Sequence, residues 1–215
     1  MKKAVVFDMD GVLLDTEKLY RMHWKKTGVA MGKTEAQMER ICRLVAGGTS
    51  DHTRQVFAEE FGEEFPYAEC RRRTYEMMEQ YIEENGVDVK PGVVEVLNHL
   101  KENHIKTAVA TSTKQALAEK RLKMTGIYDY FDALIYSDMV SRGKPNPDIY
   151  LKACEVLGVE PSEAIGVEDS INGIKACHAA GLYTVMVIDL IQPDKELFPY
   201  CNQIYASMTE MLDLI

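Results

Sequence analysis

Residues 4–12 read Ala4-Val5-Val6-Phe7-Asp8-Met9-Asp10-Gly11-Val12, and the reading of this stretch decides the fold. Four apolar residues in a row, without alternation, predict a strand covered on both faces, the habit of a parallel sheet. Two carboxylates follow directly off its end. Residues i and i+2 of extended backbone share a face, so Asp8 and Asp10 point the same way. Ligand sites of open α/β sheets lie outside the carboxyl ends of the strands, which aims both acids at that crevice, with Gly11 allowing a tight turn beneath them. An isolated Asp-x-Asp is also readable as an Asx-type turn closing a strand. The rest of the chain has to decide between the two.

Working outward, four further β-rich runs stand at 107–110, 133–136, 164–167 and 183–188. Helical patterns separate them. Leu117, Arg121 and Met124 fall at i, i+4 and i+7, and 149–157 and 171–180 are of similar length, the last closed by Gly181 as a C′ residue. Strand and helix alternating in this way predict an α/β fold with a doubly wound, Rossmann-like parallel sheet. The interval after the first strand is different, because it contains no convincing strand. It reads as helices over 17–27, 34–45, 51–61 and 67–84, the last carrying Cys70, Thr74, Met77, Met78 and Tyr81 along one stripe. The economical expectation is an α-helical cap, residues 16–86, inserted after strand 1 of a core formed by 1–15 and 87–215. Gly86 and Gly92 at the exit can absorb hinge rotation, and Pro91 stiffens the return.

The chain of 215 residues has room for a core and such an insertion. Its 46% hydrophobic and 27% charged residues exclude a disordered or collagenous protein. With 25 Lys+Arg against 34 Asp+Glu the net charge is -9, which argues against a nucleic-acid partner. Cys42, Cys70, Cys154, Cys177 and Cys201 are odd in number and form no Cys-x-x-Cys pair, so neither a disulfide framework nor a thiolate metal site is expected. The apolar run behind Lys2 and Lys3 is cut by Asp8, too short for a signal peptide, and the others fall short of the roughly 20 residues a membrane span needs. A soluble, cytoplasmic monomer with no membrane partner is expected.

Three more strand ends carry polar groups to the same edge. The second delivers Thr111-Ser112-Thr113-Lys114, a hydroxyl and backbone N–H groups at a helix N-terminus, with N-capping the expected role of Thr113. After the third comes Gly143-Lys144-Pro145. Proline biases Lys144 toward extended backbone and lets its ammonium aim into the crevice; the alternative is a solvated surface lysine. The fourth ends Glu168-Asp169-Ser170, with Ser170 placed to open the next helix. Four carboxylates converging on one crevice repel each other, and a divalent cation together with Lys144 is the natural remedy. Oxygen ligands without His or Cys indicate a hard ion, Mg²⁺ above all.

Taken in order, Asp8-x-Asp10-Gly11-Val12, Thr111-Ser112, Gly143-Lys144-Pro145-x-Pro147-Asp148 and Glu168-Asp169-Ser170 resemble the motifs of the haloacid-dehalogenase-like superfamily of aspartate-dependent phosphohydrolases. Pro91-Gly92-Val93 and Ala180-Gly181 extend the resemblance along the chain, and the inserted helices look like the small cap of its β-phosphoglucomutase-like subgroup. The resemblance implies a phosphatase acting on a small phosphorylated metabolite, a sugar phosphate or nucleoside monophosphate. Asp8 would be the nucleophile that forms an aspartyl-phosphate, and Asp10 the general acid and then base. Thr111 and Lys144 would hold the transferring phosphoryl oxygens. Asp8, Asp10 (through its backbone carbonyl), Glu168 and Asp169 would form the Mg²⁺ shell.

Substrate contacts would come from Thr16, Tyr20, Gly48, Thr49 and Arg72 of the cap, and from Ser112 and Lys114 of the core. Thr16 and Trp24 match the phosphoglucomutase pattern, but Tyr20 stands where that enzyme has a histidine, and Asp51 falls where it has a phosphate-binding arginine. A carboxylate there repels a second phosphate. Arg71, Arg72 and Arg73 could supply a compensating cation, although three consecutive helical residues span about 200° and cannot all face one way. A phosphomutase is the alternative enzyme, and a non-catalytic binding protein that keeps the fold is the alternative of another class. True dehalogenation has no need of the metal site that Asp10, Glu168 and Asp169 build.

Overall fold

A computed structural model describes residues 2–45 and 50–215, the side chain of Ser50 apart. The chain divides into two compact units, one of Met1–Asp15 with Val87–Ile215 and one of Thr16–Gly86.

The first unit is a six-stranded sheet in the order β3-β2-β1-β4-β5-β6, with every neighbouring pair parallel. The strands are β1 (Ala4–Phe7), β2 (Lys106–Ala110), β3 (Ala133–Ile135), β4 (Ala164–Glu168), β5 (Tyr183–Val187) and β6 (Gln203–Tyr205). The sequence pattern predicts the first five to within a residue at either end and misses the sixth. β6 is three residues long, pairs on one side only, and is exposed at Gln203, so it lacks the apolar run of a doubly covered strand. β1 lies at the centre, and each of its residues is fully buried.

Alternation along the strands sorts two different cores. Val5, Phe7, Val109, Ile165, Val167 and Val185 face the large aliphatic side chains of α5 (Val93–Glu102), Val96, Leu97 and Leu100 among them. Ala4, Val6, Ala108, Ala110 and Ala164 face α7 (Asp148–Leu157) and α8 (Ile171–Ala180), which meet them with Ala153, Ala176 and Cys177. Small residues on both sides bring these helices close. At Gly166 the approach leaves no room for a side chain, since a Cβ there would stand 2.4 Å from the Cys177 Sγ. The remaining helix of this unit, α6 (Gln115–Met124), turns Ala118, Arg121 and Leu122 inward. Its buried face is therefore offset from the predicted stripe, and Met124 is exposed.

The second unit holds α1 (Thr16–Ala30), α2 (Glu35–Val45), α3 (Ser50–Phe61) and α4 (Tyr67–Asn85). Its core is aromatic. Trp24 packs at 4.6 Å between ring centroids from Phe57 and at 6.0 Å from Tyr67, with Met38, Ile41 and Cys70 filling around them. The α4 stripe runs through Cys70, Thr74, Met78 and Ile82, whereas Met77 lies exposed. The two segments that connect the units bond to each other: Asp15 N–H donates to the Asp88 carbonyl at 2.9 Å and Lys90 N–H to the Leu13 carbonyl at 2.9 Å. Among the described residues no helix is long and apolar enough to cross a membrane.

Candidate active site

Register places the site. Phe7 pairs with Val109 on one side and with Val167 on the other, so the residues that follow, Asp8, Ala110 and Glu168, emerge side by side at the carboxyl edge. The Asp8 N–H completes the ladder to the Val167 carbonyl at 2.9 Å, which holds its backbone as firmly as the strand.

Lys144 is the centre of the constellation. Its ammonium donates to Asp8 Oδ1 at 2.5 Å, Glu168 Oε1 at 2.6 Å and the Ala110 carbonyl at 3.0 Å. The lysine side chain is 6% exposed, so the solvated alternative is excluded. Burial by itself would lower its pKa, but the Asp8 and Glu168 charges outweigh this and hold it above its ordinary value, charged throughout the physiological range. Glu168 is fully buried and receives five donors: Lys144 and the Tyr150 hydroxyl on Oε1, and the Asp169 N–H, Ser170 N–H and Ser170 hydroxyl on Oε2. The Ser170 hydroxyl also caps α8 by accepting from the Gly173 N–H at 3.1 Å.

Carboxylate oxygens of Asp8, Glu168 and Asp169 all lie within 4.8 Å of one another. Burial pushes the Asp8 carboxyl up, and the Glu168 and Asp10 charges add to this against the pull of Lys144. One lysine does not balance this much negative charge. Gly11, at φ +86°, keeps the ground beside the trio open, since a Cβ there would stand 2.2 Å from Asp169 Oδ2. All-oxygen donors, excess negative charge and a cleared approach fit a hard divalent cation such as Mg²⁺.

Asp10 stands apart from the trio. Its Oδ2 accepts from the Thr113 hydroxyl at 2.7 Å and its Oδ1 from Arg121 Nη1 at 3.0 Å. Thr113 thus does not serve as the expected N-cap. Lys114 takes the cap position of α6 and makes no side-chain cap bond. Thr111 is fully buried, and its Oγ1 accepts from the Thr113 N–H at 3.0 Å, which leaves the hydroxyl hydrogen for another acceptor.

The structure therefore brings together Asp8, Lys144, Glu168 and Asp169, while Asp10 is joined through Thr113 to Thr111. Ser112 and Lys114 follow Thr111 on the same edge with exposed side chains. Of the residues proposed in the helical unit, Thr16 is buried and Tyr20 packs between Trp24 and Tyr75. Arg72 is paired with Glu69 and Glu76 at 2.7 and 2.6 Å. Arg71 instead lies over the Tyr75 ring. Together with Arg72 it helps line a cavity of about 530 Å³ with Asp51, Arg54 and Tyr67. Gly48 and Thr49 fall outside the described residues. The pattern-based reading missed Arg121, Thr113 in its actual contact, and Tyr150. Arg121 left a signal: a cation in the inward stripe of a helix is rarely buried unless an anion meets it.

One further glycine is part of the site. A Cβ at Gly173 would stand 1.8 Å from the Glu168 carboxyl carbon. That carboxylate cannot swing aside without leaving buried donors unfilled. Gly173→Ala is expected to cost about 1–3 kcal/mol of stability and to lower activity with it, read from a denaturation midpoint and kcat. An unchanged midpoint would show that the Glu168 cage yields easily.

A parallel sheet with carboxylates and a buried lysine at its carboxyl edge, interrupted after its first strand by a helical unit, defines an α/β fold of the Rossmann-like class with an acidic site at the strand ends. Residues 2–181 match the family model of the haloacid dehalogenase-like hydrolases, and the chain belongs to that family. It is 35% identical over 180 residues to the phosphorylated carbohydrates phosphatase of Thermotoga maritima, covering 84% of this chain and 82% of that one. It is 31% identical to the β-phosphoglucomutase of Bacillus subtilis, covering 86% and 83%. The crystal structure of CbbY from Rhodobacter sphaeroides, in complex with phosphate, superimposes with a TM-score of 0.73 at 27% identity, covering 98% of this chain and 96% of that one.

Proposed function

We propose that this protein is a Mg²⁺-dependent phosphatase, a cytoplasmic monomer that hydrolyses a small soluble phosphate monoester, a sugar phosphate or nucleoside monophosphate, through an aspartyl-phosphate on Asp8. The observation that carries this reading is the buried Lys144 bridging Asp8 and Glu168, with Asp169 alongside. The names of the similar phosphatase and mutase support a phosphorylated carbohydrate as substrate.

Asp8, Glu168, Asp169 and the Asp10 backbone carbonyl would hold the cation. When bound, it supplies charge neutralisation between a carboxylate nucleophile and a phosphate dianion. Asp8 attacks phosphorus as the ester P–O bond breaks, and its rigid seat at the strand end suits a nucleophile that must not wander. Lys144, the Thr111 hydroxyl and the neighbouring N–H groups receive the phosphoryl oxygens, on which charge spreads in the transition state. Asp10 gives its proton to the departing alkoxide, and as carboxylate then takes one from the water that attacks the aspartyl-phosphate. Thr16, Tyr20, Gly48, Thr49, Arg72, Ser112 and Lys114 are proposed as substrate contacts.

A panel of phosphate esters assayed with Mg²⁺ tests the reading. Inorganic phosphate should be released from several small esters, fall to background in excess EDTA, and return on adding Mg²⁺. Full activity in EDTA, or silence across the panel, would overturn it. The similarity to a β-phosphoglucomutase favours one second reading, a mutase. It would instead yield an isomeric phosphosugar and need bisphosphate priming, and Asp51, which pairs with Arg54 at 3.4 Å, offers poor company for a second phosphate.

A further inference from the structure

Arg121 has no role in the chemistry described so far, yet it is 4% exposed and points inward from α6 between Ala118 and Leu122. An aliphatic residue would fill that position without the desolvation cost of a guanidinium. What the arginine meets is Asp10 Oδ1, at 3.0 Å, while the Thr113 hydroxyl meets Oδ2 at 2.7 Å. Thr113 is in turn tied by its N–H to Thr111 Oγ1 at 3.0 Å. Both oxygens of the Asp10 carboxylate are therefore fixed by donors that the sheet edge and α6 hold in place. Asp10 itself lies on the loop beyond β1, where its backbone has left the ladder.

We propose that Arg121, assisted by Thr113, is a positioning residue for Asp10: it orients the carboxyl group that, in its protonated form, gives its proton to the leaving oxygen. The inference rests on the acid/base role assigned to Asp10 above. Acid/base side chains act when a third group holds them within hydrogen-bond reach of the reacting atom, and a carboxylate beyond the strand end needs such a holder. A carboxylate oxygen has two lone pairs, so each can keep its donor and still carry the travelling proton. In the step concerned the Asp8–phosphorus bond forms and the ester P–O bond breaks. The electron pair of the broken bond goes to the leaving oxygen, which takes the proton from Asp10.

The consequence depends on the leaving group. An alkoxide must be protonated as it departs, whereas p-nitrophenolate leaves without help. The test is kcat/KM, with Mg²⁺, for the best alkyl phosphate of the panel and for p-nitrophenyl phosphate, in the wild type, Arg121→Met, Arg121→Lys and Thr113→Val. Arg121→Met should lose about 10–100-fold on the alkyl ester but less than about 3-fold on p-nitrophenyl phosphate. Arg121→Lys should recover part of the alkyl activity, and Thr113→Val should show the same ordering with a smaller loss. Equal losses on the two esters, or no loss on either, would overturn the proposal, because a general structural defect has no reason to follow leaving-group basicity. If Arg121→Met fails to fold, Thr113→Val and Arg121→Lys carry the same comparison. Failure of the phosphatase reading shows separately, as a wild type inactive on both esters or an Asp8→Asn variant that still turns over, and in that case the role of Arg121 falls with it.

Discussion

Asp8→Asn is expected to abolish turnover, by at least about 10⁴-fold in kcat, while the protein stays folded. The amide is isosteric and keeps the backbone N–H bond to the Val167 carbonyl that seats residue 8 on the strand. What it loses is the oxygen anion proposed as the nucleophile. It also relieves charge, because burial and the Glu168 and Asp10 carboxylates press on Asp8. The amide oxygen can still accept from Lys144, which keeps Glu168 as its charged partner, so thermal stability should hold while activity vanishes, a combination that separates a catalytic role from a structural one. Near-normal phosphatase activity in this variant would remove Asp8 from the chemistry.

Lys144→Met is expected to damage both properties. The ammonium is the shared partner of Asp8 and Glu168. Glu168 has no exposure through which water could take its place. Removing one member of a buried ion pair typically costs about 3–5 kcal/mol, and removing a preformed donor to the developing phosphoryl charge about 10²–10³-fold in kcat. Denaturant unfolding and steady-state kinetics on protein verified as folded separate the two effects. A variant of wild-type stability with activity reduced less than tenfold would mean that Lys144 is neither the keystone of the acidic cluster nor a phosphoryl ligand.

The parts of this structure that were legible in the sequence are those that continuous burial writes into the chain. β1 to β5 are runs of apolar residues because helices cover both faces, and the motifs at their ends inherit a common edge from the parallel topology. Asp8, Lys144, Glu168 and Asp169 meet at that edge, as their positions at the strand ends imply. β6 was not legible, since an edge strand of three residues needs no apolar run. Arg121 and Tyr150 escaped for another reason. Periodicity tells which face of a helix turns inward, but not which polar group on that face will meet which acid. Tyr150 reads as an ordinary core aromatic until its hydroxyl is found 2.6 Å from Glu168 Oε1. The three arginines of α4 show the same limit: their spacing fixes the angle they span, and only the positions of Glu69 and Glu76 determine that Arg72 is occupied.

Acid quenching of the wild type during turnover with Mg²⁺, followed by mass spectrometry of its peptides, tests the central claim most directly. The peptide containing Asp8 should carry the mass of one phosphoryl group, labile to hydroxylamine, and the corresponding peptide of Asp8→Asn should not. A phosphoryl group on any other residue, or active enzyme that never carries one at Asp8, would contradict the account.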